Sequence, residues 1–157
     1  MGKLVPVIKI KKLSEDLKKS GKKIVLAGGC FDILHVGHIE FLEKAKASGD
    51  ILILLLESDA AIKQLKGDKR PINNQKNRSR ILSAIQFVDF VVTLPKPYQT
   101  KDYQNLVSQI KPNVIAITAG DSNLKNKKSQ AKEAGGAVKI VLKNIPDHST
   151  TKLLDYF

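Results

Sequence analysis

The chain has one cysteine, Cys30, no tryptophan, and an aromatic content of only 5%. A single thiol excludes an internal disulfide framework and any metal centre built from cysteine pairs. Few aromatics, with none interleaved among the basic residues, exclude the common nucleic-acid-binding modules. Long apolar runs are missing as well. The most apolar stretch, ILILLLE at 51–57, is far short of the roughly 20 residues that span a bilayer. The beginning, MGKLVPVIKIKK, lacks an apolar core and a small-residue cleavage site, so it is read as a basic leader over 1–12 rather than a signal peptide. A cytoplasmic protein is expected, with no membrane partner. Acidic residues are scarce: 15 against 27 basic ones, for a formal charge of +12. Such a field can attract nucleic acid, a membrane surface or phosphorylated small molecules. The lysines are scattered through KIKK, LKKSGKK, LKGDKR, KNRSR and LKNKK, which suits a solvated surface and no nucleic-acid partner.

What is present is alternation. KIVLAG (23–28), DILILLLE (50–57), VDFVVTL (88–94), NVIAIT (113–118) and AVKIVLK (137–143) are short, nearly continuous apolar runs, as strands covered on both faces must be. Helical patterns occupy 12–20, 38–48, 59–65, 75–86, 102–110 and 124–134, with a short last helix from near Ser149. In 38–48, Ile39, Leu42 and Ala45 share one face. Strand–helix–strand alternation predicts an α/β fold: a doubly wound, Rossmann-like single domain over 1–157, with a five-stranded parallel sheet and helices on both faces. LPKPYQTKD (94–102) is a Pro-marked loop.

Doubly wound sheets bind ligands beyond the carboxyl ends of their strands, where the strand order reverses. GGCFD after the first strand and TAGDS (118–122) after the fourth are expected to meet there. Two of the three histidines, His35 and His38, lie where the first strand turns into a helix. Three readings compete for them: structural hydrogen bonding, a zinc site with Cys30, and a phosphate site. His-x-x-His spacing permits zinc, but ligand pairs such as C-x₂-C are missing and His148 is remote in sequence. No metal site is therefore expected. In the phosphate reading, Gly37 lets the chain turn tightly and the helix start offers free N–H groups and a positive dipole end. Imidazole donors beside it would act where charge accumulates during phosphoryl or nucleotidyl transfer.

GGCFDILHVGH resembles the signature of the cytidylyltransferase-like nucleotidyltransferase superfamily, in which a strand ends at G-x-F-D and H-x-G-H follows. LKGDKRP (65–71), Arg78 opening a helix, VDFVV, AGD (119–121) and STTK (149–152) continue the pattern in order. Within that superfamily the chain is most similar to the adenylyltransferase domain of the ADP-heptose synthesis enzyme, through GKKIVLAGGCFDILHVGHIEFLEKAKASGD and LESDAAIKQLKGDKRPIN. The alternative is glycerol-3-phosphate cytidylyltransferase, whose ending R-T-E-G-I-S-T stands against NIPDHST here. Asn144 and Gln86 occupy places where that relative carries arginine. AGG and TAGDSN depart from the T-N-G and K-G-G-D-Y of the heptose family.

The resemblance implies transfer of a nucleoside monophosphate, AMP over CMP, from NTP to a phosphorylated small molecule such as a sugar 1-phosphate, with Mg²⁺ carried by the triphosphate and pyrophosphate released. Glycerol 3-phosphate, other alcohol phosphates and FMN are alternative acceptors, and a non-enzymatic nucleotide-binding module is the alternative class. Residues Gly29, Cys30, Phe31, Asp32 and Gly37 would cradle the nucleotide, with Cys30 packing rather than attacking. His35, His38 and Lys66 would be the catalytic set, the histidines stabilising charge at the α-phosphorus. Gly120 and Asp121 would lie by base or ribose, and Ser149, Thr150 and Thr151 would offer N–H and hydroxyl donors. Lys66 and Arg70 would clamp the phosphates, with Lys46 and Arg78 as further acceptor-binding candidates. A homodimer is expected.

Overall fold

A computed structural model describes residues 2–143 and 149–155. Its strands are β1 (Lys3–Pro6), β2 (Ile24–Gly29), β3 (Ile51–Leu56), β4 (Phe90–Thr93), β5 (Val114–Thr118) and β6 (Ala137–Leu142). Its helices are α1 (Ile10–Lys19), α2 (Val36–Lys46), α3 (Asp59–Lys66), α4 (Gln75–Ser83), α5 (Thr100–Ile110), α6 (Leu124–Glu133) and α7 (Thr150–Leu154). All strand pairs are parallel, in the order β1-β4-β3-β2-β5-β6.

The five expected strands are all present, and the sheet has a sixth. Residues 3–6, inside the stretch read as a basic leader, pair with β4 from Lys3↔Phe90 to Pro6↔Thr93. An edge strand with one face to solvent needs no apolar run, and three of these four residues are exposed. Its composition therefore hid it.

Side chains alternate along each strand and build two cores. Val25, Ala27, Leu52, Leu54, Leu56 and Val91 pack with Phe41, Leu42 and Ala45 of α2 and Leu82 of α4. Ile24, Leu26, Ile53, Leu55, Val92 and Ile115 pack on the other face with Ile10 of α1 and Leu106, Val107 and Ile110 of α5. Strands buried on both faces must be apolar throughout, which is why their runs are continuous.

The order reverses at β2, which has β3 on one side and β5 on the other. With β3 it is paired along its whole length, Ile24↔Ile51 to Gly29↔Leu56. With β5 it pairs only at Val25↔Val114 and Leu26↔Ile115. Beyond those two pairs the strands part, and a crevice opens between their carboxyl ends.

Candidate active site

The parting of β2 and β5 leaves a cleft of about 350 Å³. Its floor is Gly28 and Gly29 of β2 and Ala116, Ile117 and Thr118 of β5. Cys30, Phe31, Asp32, His35, Gly37 and His38 line one wall, with Lys66, Asp121, Lys127, Ser149 and Thr150 around the mouth. Most of the expected nucleotide-binding residues thus converge on one place.

The wall takes its shape from two contacts at the end of β2. Phe31 adopts a left-handed backbone, φ 46°, a conformation uncommon outside glycine. That turn folds its ring back over Gly29, where an added Cβ would lie 3.0 Å from the ring. Any side chain there would push the ring back by a few tenths of an ångström. The Phe31 ring also meets His38, centroids 5.3 Å apart.

His35 caps the start of α2, and the His35 and His38 rings stack at 3.9 Å. The His35 backbone N–H donates to Nδ1 of His38 at 3.3 Å. An accepting Nδ1 places the proton of a neutral imidazole on Nε2. Burial, then His35 and Lys66, push the His38 pKa down to about 4. His38 is therefore neutral near pH 7 and acts as an N–H donor beside the free amides of the helix start.

Asp32 holds the loop. Its Oδ2 accepts from Arg70 Nε at 2.6 Å and from Ile72 N–H at 2.9 Å, and its Oδ1 accepts from Asn73 N–H at 2.9 Å. Burial works against its charge, but the Asn73, Ile72 and Arg70 donors outweigh it and hold the carboxyl below its ordinary value. An ionised carboxylate with both oxygens engaged is a brace and not a base. Arg70, 8% exposed, gives its Nε to that brace and does not line the cleft, while its buried Nη2 is left without a hydrogen-bond partner among the described residues.

Two other candidates do not line the cleft. Arg78 is fully buried, donating to the carbonyls of Cys30, Asn73 and Glu57 and to Asp59 Oδ1 at 2.6–2.9 Å. It ties the ends of β2 and β3 to α4 and has no face left for an acceptor. Lys46 ends α2 at the amino ends of β3 and β4, opposite the cleft, where its Nζ donates to the Asp50 carbonyl and to Asp89 Oδ2. The strand–helix–strand connection already implies this, because a helix joining two parallel strands starts at the carboxyl end of the first and finishes at the amino end of the second.

Burial pushes the Cys30 thiol up against the opposing effect of Lys66, in keeping with a packing role. Gly120 has φ 80°, which only glycine adopts freely, and turns the chain so that Asp121 reaches the mouth. There Asp121 pairs with Lys127 Nζ at 2.6 Å. Ser149 Oγ caps α7 by accepting the Lys152 N–H, and Thr150 Oγ1 donates to the Ile33 carbonyl at 3.1 Å. Thr151 is exposed and outside the cleft lining. Among the described residues no group of three or more His, Cys, Asp or Glu is placed to hold a metal ion, and no helix is long and apolar enough to cross a membrane.

Sequence reasoning missed two residues. Lys127 lies on α6 within the charged run LKNKK, and nothing in that run marks which lysine turns toward the cleft. Gln75 donates from Nε2 to the Leu56 and Leu94 carbonyls at 3.1 and 2.8 Å, closing the ends of β3 and β4. Gln86, invoked for nucleotide choice, is exposed in the turn between α4 and β4, at the amino end of β4, whereas the cleft lies at the carboxyl ends of the strands. Asn144 and His148 lie outside the described residues.

Residues 26–156 match the family model described as cytidylyltransferase-like. The chain is 48% identical over 114 residues to "Bifunctional protein HldE" of Aliarcobacter butzleri, covering 71% of this chain and 22% of that protein. It is 39% identical over 140 residues to the protein of the same name from Geobacter metallireducens, covering 88% and 27%. It thus spans about a quarter of the length of these curated relatives. A crystal structure described as the lipopolysaccharide core biosynthesis protein from Thermoplasma volcanium superposes with a TM-score of 0.64 at 28% identity, over 80% of this chain and 98% of that one. Pantoate-beta-alanine ligase from Francisella tularensis, at 16% identity and a TM-score of 0.67 over 94% and 69%, shares the fold.

Proposed function

Because the chain belongs to the cytidylyltransferase-like family, we propose that it transfers a nucleoside monophosphate from an NTP carrying Mg²⁺ to a phosphorylated small molecule. The observation that supports this best is the stacked His35–His38 pair at the start of α2, facing a cleft opened by the parting of β2 from β5. In the reaction, a phosphate oxygen of the acceptor attacks the α-phosphorus. The bond to the bridging oxygen breaks and pyrophosphate leaves; Mg²⁺ brought by the triphosphate would supply charge neutralisation. A phosphate oxygen at neutral pH is already ionised, so no general base is required. The protein's share is positioning and charge neutralisation. Helix amides and the His38 Nε2–H would face the phosphate oxygens, with Lys66 and Lys127 supplying positive charge at the mouth.

AMP transfer to a sugar 1-phosphate is the preferred form of this reading. It draws on the likeness to the heptose adenylyltransferase domain, to which the relatives named HldE add weight. CMP transfer to glycerol 3-phosphate is the second reading. It gains from the position of Gln86, whose missing arginine is too far from the cleft to count against CTP. A screen of four NTPs against phosphorylated acceptors, read by pyrophosphate release, tests both. ATP with a sugar 1-phosphate is expected to give the fastest release. Faster release with CTP and glycerol 3-phosphate would replace the first reading by the second, and no release with any pair would leave a nucleotide-binding module. Assembly as a homodimer belongs to the same proposal, with sedimentation as its test.

A further inference from the structure

Glu57 follows β3 directly, and the alternation along that strand fixes its side. Leu54 and Leu56 face the α2 and α4 core, while Ile53 and Leu55 face the α1 and α5 core. Glu57 therefore emerges on the α5 side, where the hydroxyl of Tyr103 donates to its Oε1. Tyr98 packs edge-on against Tyr103 with centroids 5.5 Å apart. The backbone of Glu57 is pinned: its N–H donates to the Gly29 carbonyl at 3.2 Å, and its carbonyl accepts from Arg78 and Gln75. Since Gly29 pairs with Leu56, Glu57 lies beside Cys30 of the cleft wall.

This carboxylate is half-buried, yet among the described residues it makes no ion pair and Oε2 accepts no hydrogen bond. Burial pushes its carboxyl up, against the opposing effects of Tyr103, Arg78 and Lys127. Neither Glu57 nor Tyr103 is part of the cleft lining itself, but the spare oxygen is not buried and, next to Cys30 of the cleft wall, is open to donors from outside the protein. Phosphate brings none, but hydroxyl groups do. The histidines stand on the α2 side of the sheet, so a triphosphate at the α2 start puts its leaving pyrophosphate there. In-line displacement then brings the nucleophile from the other side, toward α5.

We infer that Glu57 and Tyr103 form a hydroxyl-binding subsite for the acceptor, which makes the acceptor a polyhydroxylated phosphate monoester. This rests on the nucleotidyltransferase reading above. The phosphate end turns to Lys66 and Lys127, the carboxylate repels it, and the hydroxyl-bearing end meets Glu57. The tyrosine rings offer an apolar face to the C–H side of the carbon skeleton. Glu57 and Tyr103 are thus specificity-determining groups that leave the chemistry at the α-phosphorus untouched.

The test compares wild type, Glu57→Gln and Tyr103→Phe with three acceptors: a sugar 1-phosphate, glycerol 3-phosphate and butyl phosphate. Glu57→Gln is expected to raise KM for the sugar phosphate by about 10-fold or more, the scale of losing hydrogen bonds to a charged group. The rise should be smaller for glycerol 3-phosphate and absent for butyl phosphate, with KM for the NTP unchanged. Tyr103→Phe keeps the ring and should shift KM the same way by less, so the inference stays testable if Glu57→Gln melts early. Equal changes for all three acceptors, or none, would overturn the subsite. So would wild-type use of butyl phosphate as efficient as that of the sugar phosphate. No pyrophosphate release from wild type with any acceptor would instead remove the nucleotidyltransferase reading, and the subsite with it.

Discussion

At the residue scale, His38 combines two properties that a sequence motif cannot state: it is neutral, and its donor nitrogen is defined. Burial depresses its pKa to about 4, while the His35 N–H occupies Nδ1. We expect His38→Ala to lower kcat by about 100-fold, the usual scale for losing one preorganised donor to developing charge, with little change in melting temperature. Equal loss of both would mean a structural role. The pH dependence has a defined sign. The unfolded histidine takes its proton near the ordinary value of 6.5, the folded one only near 4. The unfolded state thus binds more protons in between, and stability present above pH 6.5 is lost as pH falls toward 4. Phosphate beside the ring favours its protonated form. A nucleoside triphosphate should therefore raise the melting temperature more at pH 5.5 than at pH 7.5, and that difference should vanish in His38→Asn. The histidines were legible in the sequence because their spacing, the neighbouring glycine and the helix start point to one chemistry. Arg78 and Arg70 were not, since a guanidinium within a motif looks the same whether it faces a ligand or braces a loop. Burial and, for Arg78, the occupied donors distinguish them.

At the scale of elements, the strands buried on both faces were readable to within a residue or two, because the cores on each side force an unbroken apolar run. β1 was not readable although β6, the other edge strand, was: β6 has six mostly apolar residues, whereas the four residues of β1 carry no periodicity worth counting. Gly2 anchors its approach: the Gly2 N–H donates to the Ser83 carbonyl at 2.6 Å, and a Cβ there would come within 2.7 Å of the Val88 carbonyl oxygen. Removing residues 1–6 would strip β4 of its outer neighbour while leaving β2, β5 and the cleft separated from the damage by β3 and β4. A handful of ladder bonds at about 0.5–1.5 kcal/mol each sums to a few kcal/mol. For a chain of this size that lowers the melting temperature by about 5–15 °C. Turnover per folded molecule should stay within about twofold of the full chain. A collapse of turnover without a fall in melting temperature would show that β1 acts on the cleft and not on the sheet.

At the scale of the molecule, the +12 charge is spread over the surface and only part of it reaches the cleft. Lys66 and Lys127 line the mouth, and Lys127 is already paired with Asp121. Most lysines therefore act on substrates as a field and not as ligands. A field and a contact respond differently to salt. The Debye length shrinks from about 10 Å at 0.1 M to about 3 Å at 1 M, so distant charges are screened while groups in contact with a bound phosphate are largely spared. With two anionic substrates, kcat/KM for each should fall several-fold between 50 and 500 mM KCl, because electrostatic steering acts on association. The value of kcat should change less than twofold, since on the proposed mechanism the α2 amides and the neutral His38 would by then hold the reacting phosphates. Replacing exposed lysines far from the cleft, Lys11 and Lys22 for example, by glutamine should flatten the salt dependence of kcat/KM without altering kcat. A kcat that falls in step with kcat/KM would mean instead that mobile surface charge takes part in the transition state, and that the preorganised donors of the cleft carry less of the catalysis than their geometry suggests.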